Sequence, residues 1–222
     1  FRAIAETGAV EVLTDGSVLR FATKMGSNAA YWHFQAIAET KAVKELTDDS
    51  VLKFAEAIGS NAAYEYFRAI VETKDVKKAV KMLTDEQVLK FAEAIGPDKA
   101  MAYFQAIGWT KAVAELTDKR VLETASFVKT FGHDVVYQYF RAIAETGAVE
   151  VLTDGSVLRF ATKMGSNAAY WHFQAIAETK AVKELTDDSV LKFAEAIGSN
   201  AAYEYFRAIV ETKDVKKAVK ML

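Results

Sequence analysis

The feature that most constrains this chain is an internal repeat. Residues 1–83 are identical to residues 140–222, so the sequence of the N-terminal part returns in full from Phe140 onward. Within that period a Leu-Thr pair recurs every 33 to 37 residues, beginning at Leu13. Periods of this length are typical of supersecondary units that cannot bury an apolar face alone and therefore stack on their neighbours. The sequence predicts a tandem-repeat protein.

The Leu-Thr pairs divide the chain into repeats of unequal length. Residues 1–12 match the last part of the fourth repeat, so they are interpreted as the tail of a preceding repeat. The four repeats in 13–151 make one superunit, which starts again at Leu152. Because no linker or low-complexity segment interrupts the pattern, we expect a single array over residues 1–222. The repeats are 13–45, 46–82, 83–115, 116–151, 152–184 and 185–221.

Each repeat has the pattern of a helical hairpin, most clearly at 46–64. Thr47 is the predicted N-cap of the first helix, and acidic residues follow in its first turn, where they suit the helix dipole. Gly59 is predicted to end that helix in the left-handed conformation, and a second helix follows. The apolar positions of the first helix recur at helical spacing and are Val51, Phe54, Ala55 and Ile58.

Two repeats depart from the common length. The second repeat has four extra residues within 74–82, which predict a short third helix. The fourth repeat has three extra residues, which predict a longer first helix at 121–131.

The composition fits stacked helices. The chain is 51% hydrophobic and 26% charged, with one proline, no cysteine and a formal net charge of −2. The apolar runs are too short to span a membrane, and the absence of cysteine excludes a disulfide framework and a thiolate metal site. We therefore expect an all-α fold, an α-solenoid of helix-turn-helix repeats of 33–37 residues. The near-neutral charge does not favour nucleic acid or anionic lipid as a partner.

The third repeat resembles the repeats of transcription-activator-like effectors and the related TALE-like repeats. Its opening differs from that family's Leu-Thr-Pro-Glu-Gln-Val at one position. The matching residues are Leu83-Thr84-Asp85-Glu86-Gln87-Val88, Ala92, Ile95-Gly96, Ala100-Met101, Phe104-Gln105 and Ile107. The resemblance implies a right-handed superhelix that wraps double-stranded DNA, with one base read per repeat by the residue before the loop glycine.

The residues at the base-reading position do not suit that role. They are bulky and apolar, so they offer none of the donors and acceptors that distinguish bases in the major groove. Repeats of unequal length would also break a register of one base per repeat. Double-stranded DNA binding is therefore an alternative function here. The position is held by Met25, Ile58, Ile95, Met164 and Ile197.

An aromatic ladder is the first candidate interaction surface. One position of the second helix, just before a regularly spaced phenylalanine, carries a ring in every repeat. Aligned rings on stacked repeats could form a binding face; the alternative is that they seal the seam between repeats with their hydroxyls in water. His133, beside Asp134, is interpreted as a turn residue. The aromatic ladder is His33, Tyr66, Tyr103, Tyr139, His172 and Tyr205.

A group of lysines is the second candidate. It recurs once per superunit and could hold a polyanion, although a solvated helix face is the alternative. This candidate polyanion patch consists of Lys74, Lys77, Lys78, Lys81, Lys213, Lys216, Lys217 and Lys220.

The sequence predicts a non-enzymatic scaffold for protein interaction or self-assembly, as a filament or a multivalent platform. No catalytic, cofactor-binding or metal-binding motif is present, and the exact copy of 1–83 would duplicate any single active site within it. Neither end has the polar cap typical of such arrays, so we expect a longer array or end-to-end stacking. The expected partners are a second copy of the chain or other proteins, with no membrane.

Overall fold

The part of the chain that the structure describes is helical. In the computed structural model, residues 1–73, 75–213 and 215 are described, and they form seventeen helices and no strand. The prediction of an all-α fold is confirmed. The chain divides into two compact units, Phe1–Thr117 and Asp118–Leu222. A single array spanning both units stays a prediction.

The first unit contains nine helices among its described residues. They are α1 (Arg2–Thr7), α2 (Val10–Leu13), α3 (Gly16–Thr40), α4 (Val43–Leu46), α5 (Asp49–Glu72), α6 (Val76–Leu83), α7 (Glu86–Ile95), α8 (Pro97–Thr110) and α9 (Val113–Leu116).

The second unit contains eight helices among its described residues. They are α10 (Lys119–Leu122), α11 (Ala125–Val128), α12 (His133–Thr146), α13 (Val149–Leu152), α14 (Gly155–Thr179), α15 (Val182–Leu185), α16 (Asp188–Ile197) and α17 (Ser199–Thr212).

The helix after each Leu-Thr pair begins at an aspartate rather than at the threonine. The Asp48 carboxylate accepts a hydrogen bond from the Ser50 backbone N–H at 2.9 Å, as an N-cap does. The Thr47 hydroxyl instead donates to the Val43 carbonyl at 2.8 Å, at the end of α4. The prediction that Thr47 is the N-cap is wrong, because its hydroxyl is engaged by the preceding helix. The other aspartate caps are Asp15, Asp85, Asp118, Asp154 and Asp187.

A short helix ends at the leucine of each Leu-Thr pair. In most repeats it has four residues, as in α4, and the sequence did not predict it. In the second repeat the extra residues lengthen it to eight residues in α6. The predicted third helix of the second repeat is therefore confirmed.

Glycine separates the two helices of a hairpin. Gly59 has φ 79° and ψ 165°, and the chain is helical on both sides of it within α5. The predicted break is confirmed, but the left-handed conformation is wrong. The positive φ combined with an extended ψ places Gly59 in the mirror image of the extended region, which is open essentially to glycine alone. This conformation leads directly from the first helix into the second.

Successive hairpins pack side by side within each unit. In the first unit α3 packs against α1 and α5, and α5 packs against α8. In the second unit α14 packs against α12 and α17. The predicted apolar stripe of the second repeat lies in this interior, since its residues Val51, Phe54, Ala55 and Ile58 are buried.

The first helix of the fourth repeat is interrupted. The structure has α10 and α11 in place of one continuous helix at 121–131, so that prediction is wrong. The Thr124 hydroxyl and the Thr124 backbone N–H both donate to the Val121 carbonyl, at 2.7 and 3.0 Å. This tight turn uses the carbonyl that a continuous helix would offer to residue 125.

Candidate interaction surfaces

The aromatic ladder lies in the protein interior rather than on a surface. Five of its side chains have 0% exposure, and Tyr205 is partly exposed. The prediction of an exposed binding face is therefore wrong for those five residues. They are His33, Tyr66, Tyr103, Tyr139 and His172.

The polar atoms of the ladder bond to the backbone of the next repeat. The Tyr103 hydroxyl donates to the Leu116 carbonyl at 2.9 Å, and the Tyr66 hydroxyl donates to the Leu83 carbonyl at 3.3 Å. Each accepting leucine belongs to the following Leu-Thr pair. The alternative prediction, in which these hydroxyls lie in water, is also wrong. This position instead ties the second helix of one repeat to the start of the next.

The histidines at this position make the same connection. His33 Nε2 lies 2.8 Å from the Leu46 carbonyl oxygen, and His172 Nε2 lies 2.9 Å from that of Leu185. Burial lowers the pKa of both imidazoles to about 4, although the hydrogen bond to the carbonyl opposes the shift. Both rings are therefore neutral near pH 7, and Nε2 carries the proton because its neighbour is an acceptor. The buried Nδ1 atoms have no hydrogen-bond partner.

Each ladder ring packs into an aromatic cluster. The Tyr66 ring contacts Phe54, Phe67 and Phe104 edge to face, with centroid distances of 5.2, 4.9 and 5.0 Å. Phe104 belongs to the next repeat, so the cluster joins neighbouring hairpins. Edge-to-face pairs of this kind add to the free energy that burial alone supplies. The arrangement explains a ring in every repeat as a core requirement.

Tyr139 differs from Tyr66 and Tyr103. Its hydroxyl is buried and makes no hydrogen bond to the backbone of the next repeat. Burial raises the pKa of this hydroxyl, and the Thr124 side chain opposes the shift. Thr124 belongs to the turn between α10 and α11, which the extra residues of the fourth repeat create.

His133 is the first residue of α12, so its interpretation as a turn residue is wrong. Its Nδ1 atom is 3.2 Å from a carboxylate oxygen of Asp134. Among the residues that the structure describes, no group of three His, Cys, Asp or Glu side chains could hold a metal ion. The described helices also include none that is long and apolar enough to cross a membrane.

The residues at the base-reading position of the TALE resemblance point into the core. Four of them are buried, and Ile197 is partly exposed. A buried side chain before the loop glycine cannot reach a base edge without leaving its packing site. The buried residues are Met25, Ile58, Ile95 and Met164.

An exposed apolar face on α2 and α3 becomes visible when the identical copies are compared. Val10 is 51% exposed, whereas its copy Val149 is 7% exposed. Leu19 is also exposed, and Phe34 is partly exposed. In the second unit, the copy of Phe34 is fully buried. We define the α3 apolar face as five apolar residues of α2 and α3 that are more buried in the second copy: Val10, Leu19, Ala22, Ala30 and Phe34.

The second unit shows what covers this face. There α13 packs against α10, and α14 packs against α12. Phe173, the copy of Phe34, contacts the rings of Tyr139 and Phe127 at 5.1 and 6.3 Å. In the first unit α1 packs against α3, and Val10, Leu19 and Phe34 are more exposed than their copies.

Four lysines of the candidate polyanion patch lie among the residues that the structure describes, and four lie outside them. Lys77, Lys78 and Lys81 are exposed on α6, and Lys213 follows the end of α17. Three further lysines that the structure describes, Lys41, Lys111 and Lys180, hold the same position as Lys213, each with a positive φ. The predicted members Lys74, Lys216, Lys217 and Lys220 lie outside the described residues.

Sequence reasoning missed a contact between an arginine and an exposed tryptophan. The Arg68 guanidinium lies over the Trp109 ring, 5.7 Å from its centroid. The signal in the sequence was Trp109 itself, which stands where the second repeat has Glu72. The contact shields one side of a ring that is otherwise exposed.

Comparisons with protein-family models, with curated protein sequences and with solved structures found no match for this chain. The arguments about function therefore depend on the residues and their geometry.

Proposed function

We propose that this protein is a non-enzymatic repeat scaffold that associates with a second copy of itself. Its repeats stack as an α-solenoid, in which each repeat covers the apolar face of the next. The packing of successive hairpins within each unit supports this arrangement. The right-handed sense of the superhelix comes from the resemblance to TALE-like repeats and is part of the proposal.

One observation carries the proposal of self-association. The α3 apolar face is exposed in the first unit, although the identical sequence in the second unit is covered by helices of this same chain. Exposed apolar patches of this kind mark interaction sites. The helices that cover the second copy of this face, α10 and α12, are themselves packed against α13 and α14. The contact that we propose therefore joins the α3 apolar faces of two copies of the chain.

The test compares two neighbouring valines. Val10 and Val12 are 51% and 43% exposed, but their copies Val149 and Val151 are 7% and 40% exposed. Only Val10 is therefore covered when the face is occupied. We expect the native chain to show mass that rises with concentration in multi-angle light scattering. Val10→Lys should remove this rise, because it places a charge in the contact, and Val12→Lys should retain it.

The outcomes distinguish the possible occupants. A monomer at every concentration would contradict self-association and leave another protein as the occupant. Equal effects of Val10→Lys and Val12→Lys would show that association uses a different surface. Circular dichroism of both variants establishes that each remains folded.

Binding of double-stranded DNA is the alternative proposal, and it depends on the TALE resemblance. The burial of the residues at the base-reading position argues against it. We expect no gel shift of duplex DNA by micromolar protein at low salt. A shift that weakens steeply as salt is raised would favour the alternative, since phosphate contacts release counterions.

A further inference from the structure

A groove in the first unit brings together cations from two separate segments. It lies between residues 40–45, around the start of α4, and α6, and it has a volume of about 520 Å³. Lys41 lines it from the first segment, and Lys77 and Lys81 line it from α6. We call it the lysine groove. Glu45 is its only acidic lining residue among those that the structure describes.

The three lysines of the groove differ from other lysines of the same unit. All three are exposed, and none forms an ion pair within the described part of the chain. Three of the other lysines of the first unit are paired with carboxylates. The pairs are Lys24 with Glu56 at 2.6 Å, Lys53 with Asp49 at 2.5 Å, and Lys90 with Glu86 at 2.5 Å.

The charge spacing at the groove is unfavourable without a ligand. Lys77 and Lys81 are four residues apart on one helix, where like charges repel. An anion in the groove would offset the repulsion and make contact with all three ammonium groups.

The neighbouring groove limits the size of the ligand. It lies between α6 and α9, has a volume of about 140 Å³, and is lined by Lys78 and Lys111 together with Asp75 and Glu115. Its charges cancel, whereas the lysine groove carries an excess of two positive charges. A long polyanion that extended into this neighbouring groove would therefore meet balanced charges, and this favours a small ligand.

We propose that the lysine groove binds a small molecule that carries two or more phosphate groups. Lysine is a common point-charge ligand of phosphate, and three lysines line a groove of about 520 Å³. The site uses Lys77 and Lys81 of the patch predicted from sequence, adds Lys41, and excludes Lys78. The groove lies beside α4 and α6, the short helices that connect successive hairpins, and none of the loop glycines lines it.

The probe is tripolyphosphate, titrated into the whole chain by isothermal calorimetry at low salt. We expect saturable binding that weakens as salt is raised. The triple variant Lys41→Gln, Lys77→Gln, Lys81→Gln should bind at least about tenfold more weakly, because it removes every cation of the groove. The matched control is the triple variant Lys24→Gln, Lys53→Gln, Lys90→Gln, which changes the net charge equally and should stay within about twofold of the native affinity.

Each alternative result has a defined meaning. No binding of tripolyphosphate by the native chain, or equal losses in the two triple variants, would overturn the proposal. Orthophosphate that binds as tightly as tripolyphosphate would show a single-phosphate site instead. A duplex DNA that competes with tripolyphosphate and binds more tightly through the same lysines would replace the small molecule with a nucleic acid. Weak orthophosphate binding and no competition by DNA are the expected results.

Discussion

Replacing both His33 and His172 by tyrosine should abolish most of the loss of stability that this protein shows between about pH 7 and pH 5. Tyrosine is the natural choice because Tyr66 and Tyr103 hold the same position in other repeats. Each donates to the equivalent leucine carbonyl of its following repeat. The substitution keeps the connection to the next repeat and removes the titrating group.

The magnitude follows from the pKa of the buried imidazoles. A histidine pKa of 6.5 in the unfolded chain falls to about 4 in the folded protein. The unfolded chain therefore binds more protons between these values, and the folded state loses stability as pH falls through that window. Each histidine lowers the free energy of unfolding by about 2 kcal/mol at pH 5 and about 3 kcal/mol below pH 4. The physical cause is a buried ring whose Nδ1 has no acceptor for a second proton.

The capping aspartates titrate outside this window. Hydrogen bonds from the serine side chain, and then from its backbone N–H, lower the pKa of these carboxylates below 3.8. Their contribution to stability is therefore present above that value and is lost as pH falls through the lower, folded pKa. The aspartates concerned are Asp15, Asp48, Asp154 and Asp187.

Urea unfolding at pH 7 and pH 5, followed by tryptophan fluorescence, measures the effect. Trp32 and Trp171 directly precede the two histidines, so they report on the relevant repeats. The control is the single variant His33→Tyr, which should remove about half of the loss of stability between the two pH values because the buried His172 remains. The reasoning is refuted if the double tyrosine variant loses as much stability as the native chain between pH 7 and pH 5.

Two backbone predictions follow from the dihedral angles. Lys111→Gly should raise the free energy of unfolding by about 0.5 kcal/mol, because relief of the strain at φ 62° exceeds the entropy that glycine adds to the unfolded chain. Gly8 and Gly147 hold this position elsewhere. A loss of stability in urea would contradict the argument. Gly59→Ala should lower the free energy of unfolding by about 1–3 kcal/mol, because an alanine is strained at φ 79° although its Cβ would meet no atom within 4 Å. Gly132→Ala, at φ −81°, is its control and should change the urea midpoint little.

The sequence was sufficient for the two main helices of most hairpins and for the glycine breaks between them. Leu-Thr spacing and apolar periodicity located the hairpins, and glycine located their turns. It misplaced the N-cap because Thr47 and Asp48 are both good capping residues. The choice between them depends on α4, a four-residue helix whose end engages the threonine hydroxyl. A helix that short has little periodicity by which to be recognised.

The sequence misplaced the aromatic ladder for a related reason. Two consecutive residues point about 100° apart on a helix, so a residue next to a buried phenylalanine was expected at the edge of the apolar stripe. In the structure α5 packs against α3 on one side and α8 on the other. The helix therefore buries a wider arc, which includes Tyr66 as well as Phe67. That arc is a property of the stacked neighbours and cannot be read from one repeat.

The same dependence on neighbours explains why identical sequences differ in their exposure. Val10 and Val149 share their sequence context for many residues on the C-terminal side, yet one is exposed and the other buried. The difference arises from α10 and α12, which precede the second copy and pack against it. Covering an apolar face in this way is what gives a stacked repeat much of its stability. The exposed α3 face therefore leaves apolar surface that the same face of a second copy would bury, and this surface is the physical basis for expecting association.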